Sequence, residues 1–241
     1  MFGPESNGGY AMPVMDEFKK EREAIKHAPL EKRLEYFRDY YLGKTLLILF
    51  VVGMLGAWLI SVITAKEPAL YITLVNFTEL QESSEGLTAP FAKDHINQRK
   101  EEIILENSSY ISSDMNEINF IKYGYEDEQR LFAMVMTGEI DLFITGEDVI
   151  ERYAESQWFD DMRTFLPEED LKRYESEDRI LEYKGVPVAV KVNDSALLKE
   201  YFYYNGRQDV EVYAGFPAGS TKRQLAGEFV RYLIDTPVTE K

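Results

Sequence analysis

Acidic side chains gather in three short runs, "EDEQR" (126–130), "GEIDLFITGED" (138–148) and "PEED" (167–170). Paired carboxylates are the apparatus of glycoside hydrolysis, and clustered carboxylate oxygens are ligands for calcium. Asp141 and Glu147 are the candidate pair for a hydrolase. No D-x-D-x-D-G loop occurs, however, and a solvated acidic face accounts for the same runs. The two histidines are His27 and His95, and there is no G-x-S-x-G, so a Ser-His-Asp arrangement would have to be built on His95. With no cysteine there is no thiolate nucleophile, disulfide or Cys-ligated zinc. "GFPAGSTK" (215–222) has the Lys and Ser/Thr of a phosphate loop in the wrong order and reads as a helix cap. Asn76, Asn107 and Asn193 head N-x-S/T triplets. Trp158, Phe159 and "YFYYNG" (201–206) offer aromatic faces for a sugar or peptide, against a competing reading as core. These residues assign no catalytic group, no metal ligand and no cofactor. Asp141, Glu147, Trp158 and Phe159 are retained as a ligand or partner surface.

Any such surface has to be positioned by folded elements, and the longest of them is not made for water. "KTLLILFVVGMLGAWLISVITAK" (44–66) places twenty-one residues without formal charge, 45–65, between two lysines. As a helix they extend roughly 31 Å, the thickness of a hydrocarbon core of about 30 Å. A signal peptide wants a shorter apolar stretch close to the start, so a retained transmembrane helix is expected, with a late-cleaved signal as its rival. Eight Lys or Arg precede the span and Lys66 alone closely follows it, which puts the N-terminus in the cytoplasm. Gly53, Ala57, Ser61 and Ala65 fall four apart, a stripe of small residues on which a helix pairs with itself or with a membrane partner.

Charge divides at the same point. The chain carries 43 acidic and 27 basic side chains, net -16, and residues 1–44 hold eight of each. The whole excess therefore lies beyond the span, and a surface of that sign repels nucleic-acid phosphates, so nucleic acid is excluded as a partner.

Residues 1–13, rich in Gly and Pro, are expected to be a disordered tail. Residues 14–44 read as a cytoplasmic amphipathic juxtamembrane helix: after Pro29, Leu30, Leu34, Phe37 and Tyr41 share one face, and it runs unbroken into the membrane. Beyond the span, 66–235 alternates strand and helix patterns before a short tail, 236–241. "ALYITLVNF" and "EEIILENSSYI" are strands separated by a long loop with at most a short helix. A helix stopped by Gly138 precedes a strand over 140–144, and Thr145 with Asp148 has capping-box spacing for the next helix. "RILEYKGVPVAVKV" gives two strands about Lys184 and Gly185, with Pro187 at an edge or strand start. "SALLKEYFYY" reads as a helix capped by Ser195, "DVEVYAGFPAG" as a strand, and Thr221 with Gln224 as a second capping box before a final helix. The fold class expected is α/β: one N-terminal transmembrane helix, then a mixed, partly parallel sheet with helices packed on it.

Several of these segments resemble the bacterial extracellular solute-binding proteins of the type II periplasmic binding protein superfamily. "AMVMTGEIDLFITGEDVIERYAESQWFDDMRTFLPEE" resembles the family's helix, glycine, short strand and following helix. "GVPVAVKV" is similar to its strand returning through the hinge. "YAGFPAGSTKRQLAGEFVRYLI" is similar to its late strand and helix, with Ser220, Lys222, Ala226 and Phe229 at the matching places. Here the return strand is followed within about 25 residues by the late one, so the resemblance implies a reduced single lobe with a shallow groove, or none, at the carboxyl ends of its strands. The function expected is that of a non-enzymatic, single-pass cell-membrane protein whose extracytoplasmic domain binds a protein partner or a small solute. The alternatives are an accessory subunit of a membrane complex, held by its transmembrane and juxtamembrane helices, and an extracytoplasmic hydrolase.

Overall fold

The computed structural model describes residues 28–80, 85–111 and 125–237, together with Glu23 and Lys26, and divides into two units, Met1–Ala65 and Lys66–Lys241. The tail expected over 1–13, the first part of the juxtamembrane helix and residues 238–241 lie outside the described residues.

In the first unit Pro29, which has no amide hydrogen to lose, sits at the N-cap of α1 (Leu30–Tyr36). The helix does not enter the apolar stretch unbroken in its winding. Phe37–Tyr41 forms one π-helical turn, across which the Phe37 and Tyr41 rings stack with centroids 6.3 Å apart. Beyond it α2 (Leu42–Thr64) is a continuous 23-residue helix that buries none of its residues and is long and apolar enough to cross a membrane. Its internal hydrogen bonds meet the demand that lipid places on a backbone. The helix begins three residues before the expected span and ends one short of it. Ala65, at φ -59° and ψ 129°, has left the helix, so the stripe of small residues on α2 is Gly53, Ala57 and Ser61.

The second unit contains β1 (Glu67–Val75), β2 (Phe77–Glu79), α3 (Glu85–His95), β3 (Glu101–Ser109), α4 (Tyr125–Met136), β4 (Leu142–Gly146) and α5 (Glu147–Ala154). It continues with α6 (Glu168–Ser176), β5 (Ile180–Tyr183), β6 (Val186–Lys191), α7 (Ala196–Tyr201), β7 (Phe202–Tyr204), β8 (Val212–Gly215) and α8 (Arg223–Asp235). Six strands form one mixed sheet in the order β3-β1-β4-β8-β6-β5. β1 is parallel to β3 and β4, β8 is antiparallel to β4 and β6, and β5 is antiparallel to β6. From β1 the chain steps outward to β3 and then back across β1 to β4. Right-handed crossovers in opposite directions put their helices on opposite faces. Accordingly Leu87 and Phe91 of α3 join Leu70, Ile72 and Leu74 in one core, which α8 completes with Phe229, Val230 and Leu233. Leu131 and Val135 of α4 join Phe143, Val149 and Ile150 in the core on the other face. β5 and β6 are joined through Lys184 and Gly185, at φ 50° and 77°, the paired positive angles of the tightest hairpin turn.

Several local expectations change once tertiary contacts are present. The stretch expected as a long loop with at most a short helix holds α3, which is 11 residues long. Neither capping box forms: α5 starts after Gly146 and α8 after Lys222, each without a side-chain cap, whereas Ser195 Oγ does accept the Leu198 amide at 3.2 Å. The strand expected over 140–144 lies at Leu142–Gly146. "YFYY" leaves α7 after Tyr201 and becomes β7, because pairing with β2 satisfies an aromatic run that favours extended backbone.

Candidate functional site

In an open α/β sheet the crevice for a ligand lies at the carboxyl ends of the strands, where the strand order reverses. Here that place is between β1, ending at Val75, and β4, ending at Gly146. Asn76 follows β1 in the left-handed region, at φ 65°, which asparagine tolerates better than most residues. It is buried, and its side chain acts as a substitute strand partner: Oδ1 accepts the Ile111 amide at 2.8 Å and Nδ2 donates to the Ile111 carbonyl at 2.7 Å. Its carbonyl accepts the Asn205 amide at 2.7 Å. A glycan on the Asn76 triplet is therefore incompatible with the folded domain.

These bonds lay the short ribbon of β2 and β7 over the carboxyl edge, with Phe77 opposite Tyr204 and Thr78 opposite Tyr203. The Tyr204 ring packs on Phe77 at 5.2 Å and its hydroxyl enters the crevice between β1 and β4. Gly146 and Gly206 flank that hydroxyl so closely that a Cβ on either would collide with it. Burial, then the negative charge of Asp148, pushes the Tyr204 phenol up to about 12, while Thr145, Asn76 and the Gly146 amide around the oxygen pull it back. Among the described residues no well-formed hydrogen bond closes on the Tyr204 hydroxyl or on Thr145 Oγ1, and Thr145 is fully buried. The crevice is thus plugged by the chain's own tyrosine.

Beside the plug, at the same edge, a pocket of about 370 Å³ opens between the ribbon, α7 and the ends of β6 and β8. Phe77, Leu198, Phe202 and Val212 are buried in its wall, and Leu80 and Tyr203 stand exposed at its mouth.

The residues retained from the sequence are not brought together. Asp141 is buried at the opposite, amino-terminal end of β4, where Oδ1 accepts the Ser220 hydroxyl at 2.7 Å and Oδ2 the Tyr71 amide at 2.9 Å. Burial raises its pKa, and the Ser220 hydroxyl and the Tyr71 and Lys222 amides oppose the rise. Glu147 is half-buried at the carboxyl edge, its pKa raised by burial and then by Glu151 and Glu211. Six residues of extended chain separate the two by roughly 20 Å, beyond the spacing of a glycosidase pair. Trp158 and Phe159 are buried: Trp158 stacks on Tyr153 at 4.1 Å and Phe159 meets Phe143 edge to face at 5.7 Å. Of the four, only Glu147 reaches the edge where the pocket lies. His95 stacks on Phe91 and lies 3.1 Å from Glu228 through Nδ1. Among the described residues, no group of three or more His, Asp or Glu side chains is placed to hold a metal ion.

Sequence reasoning passed over Asn76 as a site residue, and over Thr145 and the pocket wall. "YFYYNG" was the one signal that led toward them. The chain matches no family model, no curated protein and no solved structure.

Proposed function

We propose that this chain is a single-pass membrane protein that holds an α/β recognition domain outside the cytoplasm, and that the domain takes its partner at the carboxyl edge of its sheet. The observation that carries the reading is the pocket beside a crevice already filled by Tyr204. A solute enclosed at the strand-order reversal would have to expel Tyr204, whereas a partner lying across the edge meets Leu80 and Tyr203 as they stand. The orientation rests on the basic flank before the apolar helix and the acidic excess after it. The likeness to a reduced solute-binding lobe is supported by one sheet in which β8, the late strand, lies between β4 and β6, the return strand.

Two measurements test this. Because the chain lacks cysteine, Lys184→Cys and Glu35→Cys are clean reporters. A membrane-impermeant thiol reagent applied to intact cells labels the first and spares the second, and the reverse pattern refutes the orientation. A photo-crosslinking residue at Tyr203 gives an adduct in membranes that the same residue at Lys222, beside the amino-terminal end of β4, does not. Identical adducts, or none, refute the recognition edge.

A second reading, an accessory subunit gripped through its helices, is favoured by the exposed Leu30, Leu34 and Phe37 of the juxtamembrane segment and by Gly53, Ala57 and Ser61 of α2. It expects in-membrane crosslinks through α2 that Gly53→Ile with Ala57→Ile abolishes.

A further inference from the structure

The wall of the carboxyl-edge pocket is hydrocarbon, with Phe77 and Phe202 meeting edge to face at 6.4 Å over Leu198 and Val212. Among the described residues its charged lining residues are Lys199 and Arg207, and no Asp or Glu lines it. That selection runs against the composition, since residues 66–241 hold 35 acidic and 19 basic side chains. Arg207 is ion-paired with Asp209 through both carboxylate oxygens, Nε donating to Oδ1 at 3.0 Å and Nη2 to Oδ2, so its charge is already met. Lys199 is exposed and makes no ion pair among the described residues. An apolar hole with one cation left unpaired among the described residues, Lys199, complements one kind of ligand. The aromatic wall rejects a compact, strongly hydrated anion, and an ammonium group would meet the unpaired charge of Lys199.

We infer that this pocket binds an apolar, ring-bearing group that ends in a single carboxylate, with the ring against Phe77 and Phe202 and the carboxylate at Lys199. The inference rests on the carboxyl edge being the recognition surface and names what that surface recognises. About 370 Å³ accommodates a ring and a short arm, at the small end of ligand pockets. The same chemistry is carried by a free aromatic acid and by the last residue of a protein chain.

The test uses the full chain in nanodiscs, with empty nanodiscs as the blank and saturation-transfer NMR as the readout. The probes are N-acetylphenylalanine and its neutral amide, which differ in charge and little else. The acid is expected to bind with a dissociation constant of about 1 mM or below, and the amide about tenfold more weakly, the worth of one charge-assisted contact. Lys199→Gln, on an exposed side chain, removes the preference and leaves binding of the amide unchanged. A hexapeptide ending in a free phenylalanine carboxylate separates the sources. If it binds at least as tightly as the acid, the ligand is a chain terminus; if it is shut out while the acid binds, the ligand is a small solute. Equal binding of acid and amide, a preference that survives Lys199→Gln, or no saturable binding of the acid overturns the inference. Should that happen while the Tyr203 crosslink persists, the recognition edge stands and only the carboxylate is lost. Loss of both removes the edge as well.

Discussion

Replacing Tyr204 by phenylalanine tests the plugged crevice directly. The substitution keeps the ring on Phe77 and removes only the hydroxyl, which is buried without a completed hydrogen bond. A buried hydroxyl in that condition costs about 1 to 3 kcal/mol, so the variant is expected to be more stable than the parent by about 1 kcal/mol at pH 8. For a folded unit of this size that is a rise of about 2 to 4 °C in Tm. Alkali supplies a second arm. The folded-state pKa of Tyr204 is raised from 10.0 to about 12, so its contribution to stability is intact below pH 10 and is lost as pH climbs through the folded value. At about pH 11 the parent should have lost about 1.4 kcal/mol through this one group, and Tyr204→Phe none of it. The assay is thermal and urea unfolding of both proteins, followed by circular dichroism at the two pH values. Only the difference between the proteins matters, because Tyr153, Tyr174 and Tyr213 are also raised by burial and shift both alike. A destabilised variant at pH 8, or a gap that fails to widen in alkali, would show that the hydroxyl is well partnered and that the plug has been misjudged.

Two further outcomes follow from the polar groups at either end of β4. Asp141→Ala leaves the Ser220 hydroxyl and the Tyr71 amide without their acceptor and should cost about 3 kcal/mol in urea unfolding, with Asp141→Asn recovering part of it. Glu147 has a raised carboxyl, so its ionised form weakens the fold above its folded pKa, and protonation relieves this as pH falls. Glu147→Gln should therefore be more stable by about 0.5 kcal/mol at pH 7, the scale of a like-charge pair such as Glu147 and Glu151 on α5, with the advantage vanishing toward pH 4.

The alternation of helix and strand was readable in the chain from local pattern: "ALYITLVNF" is β-branched and bounded by polar residues, and Lys184 and Gly185 divide two strand-like runs. The apolar helix was as plain, its end misplaced by the single residue Ala65. Features decided by distant partners were hidden. Thr145 and Asp148 have the spacing of a capping box, but β4 keeps Thr145 extended and Gly146 takes the cap position. Asp141 had the look of a surface acid in an acidic run, and only the fold brings Ser220, 79 residues away, to its oxygen. Trp158 and Phe159, by contrast, pack inward as the core reading of them expected. "YFYYNG" gave the strongest hint of the pocket, yet nothing local says that Tyr204 turns toward Gly146 while Tyr203 turns out.

The π turn at Phe37–Tyr41 inserts one residue into the helical winding just ahead of α2, a rotation of about 100°. Leu34 lies nineteen residues before Gly53, which is eighteen helical steps, or five turns, once the π turn has absorbed one residue. Leu34 and the small residues that begin at Gly53 therefore share one side of the helix, whereas a regular α-helix over the same residues would set them about 100° apart.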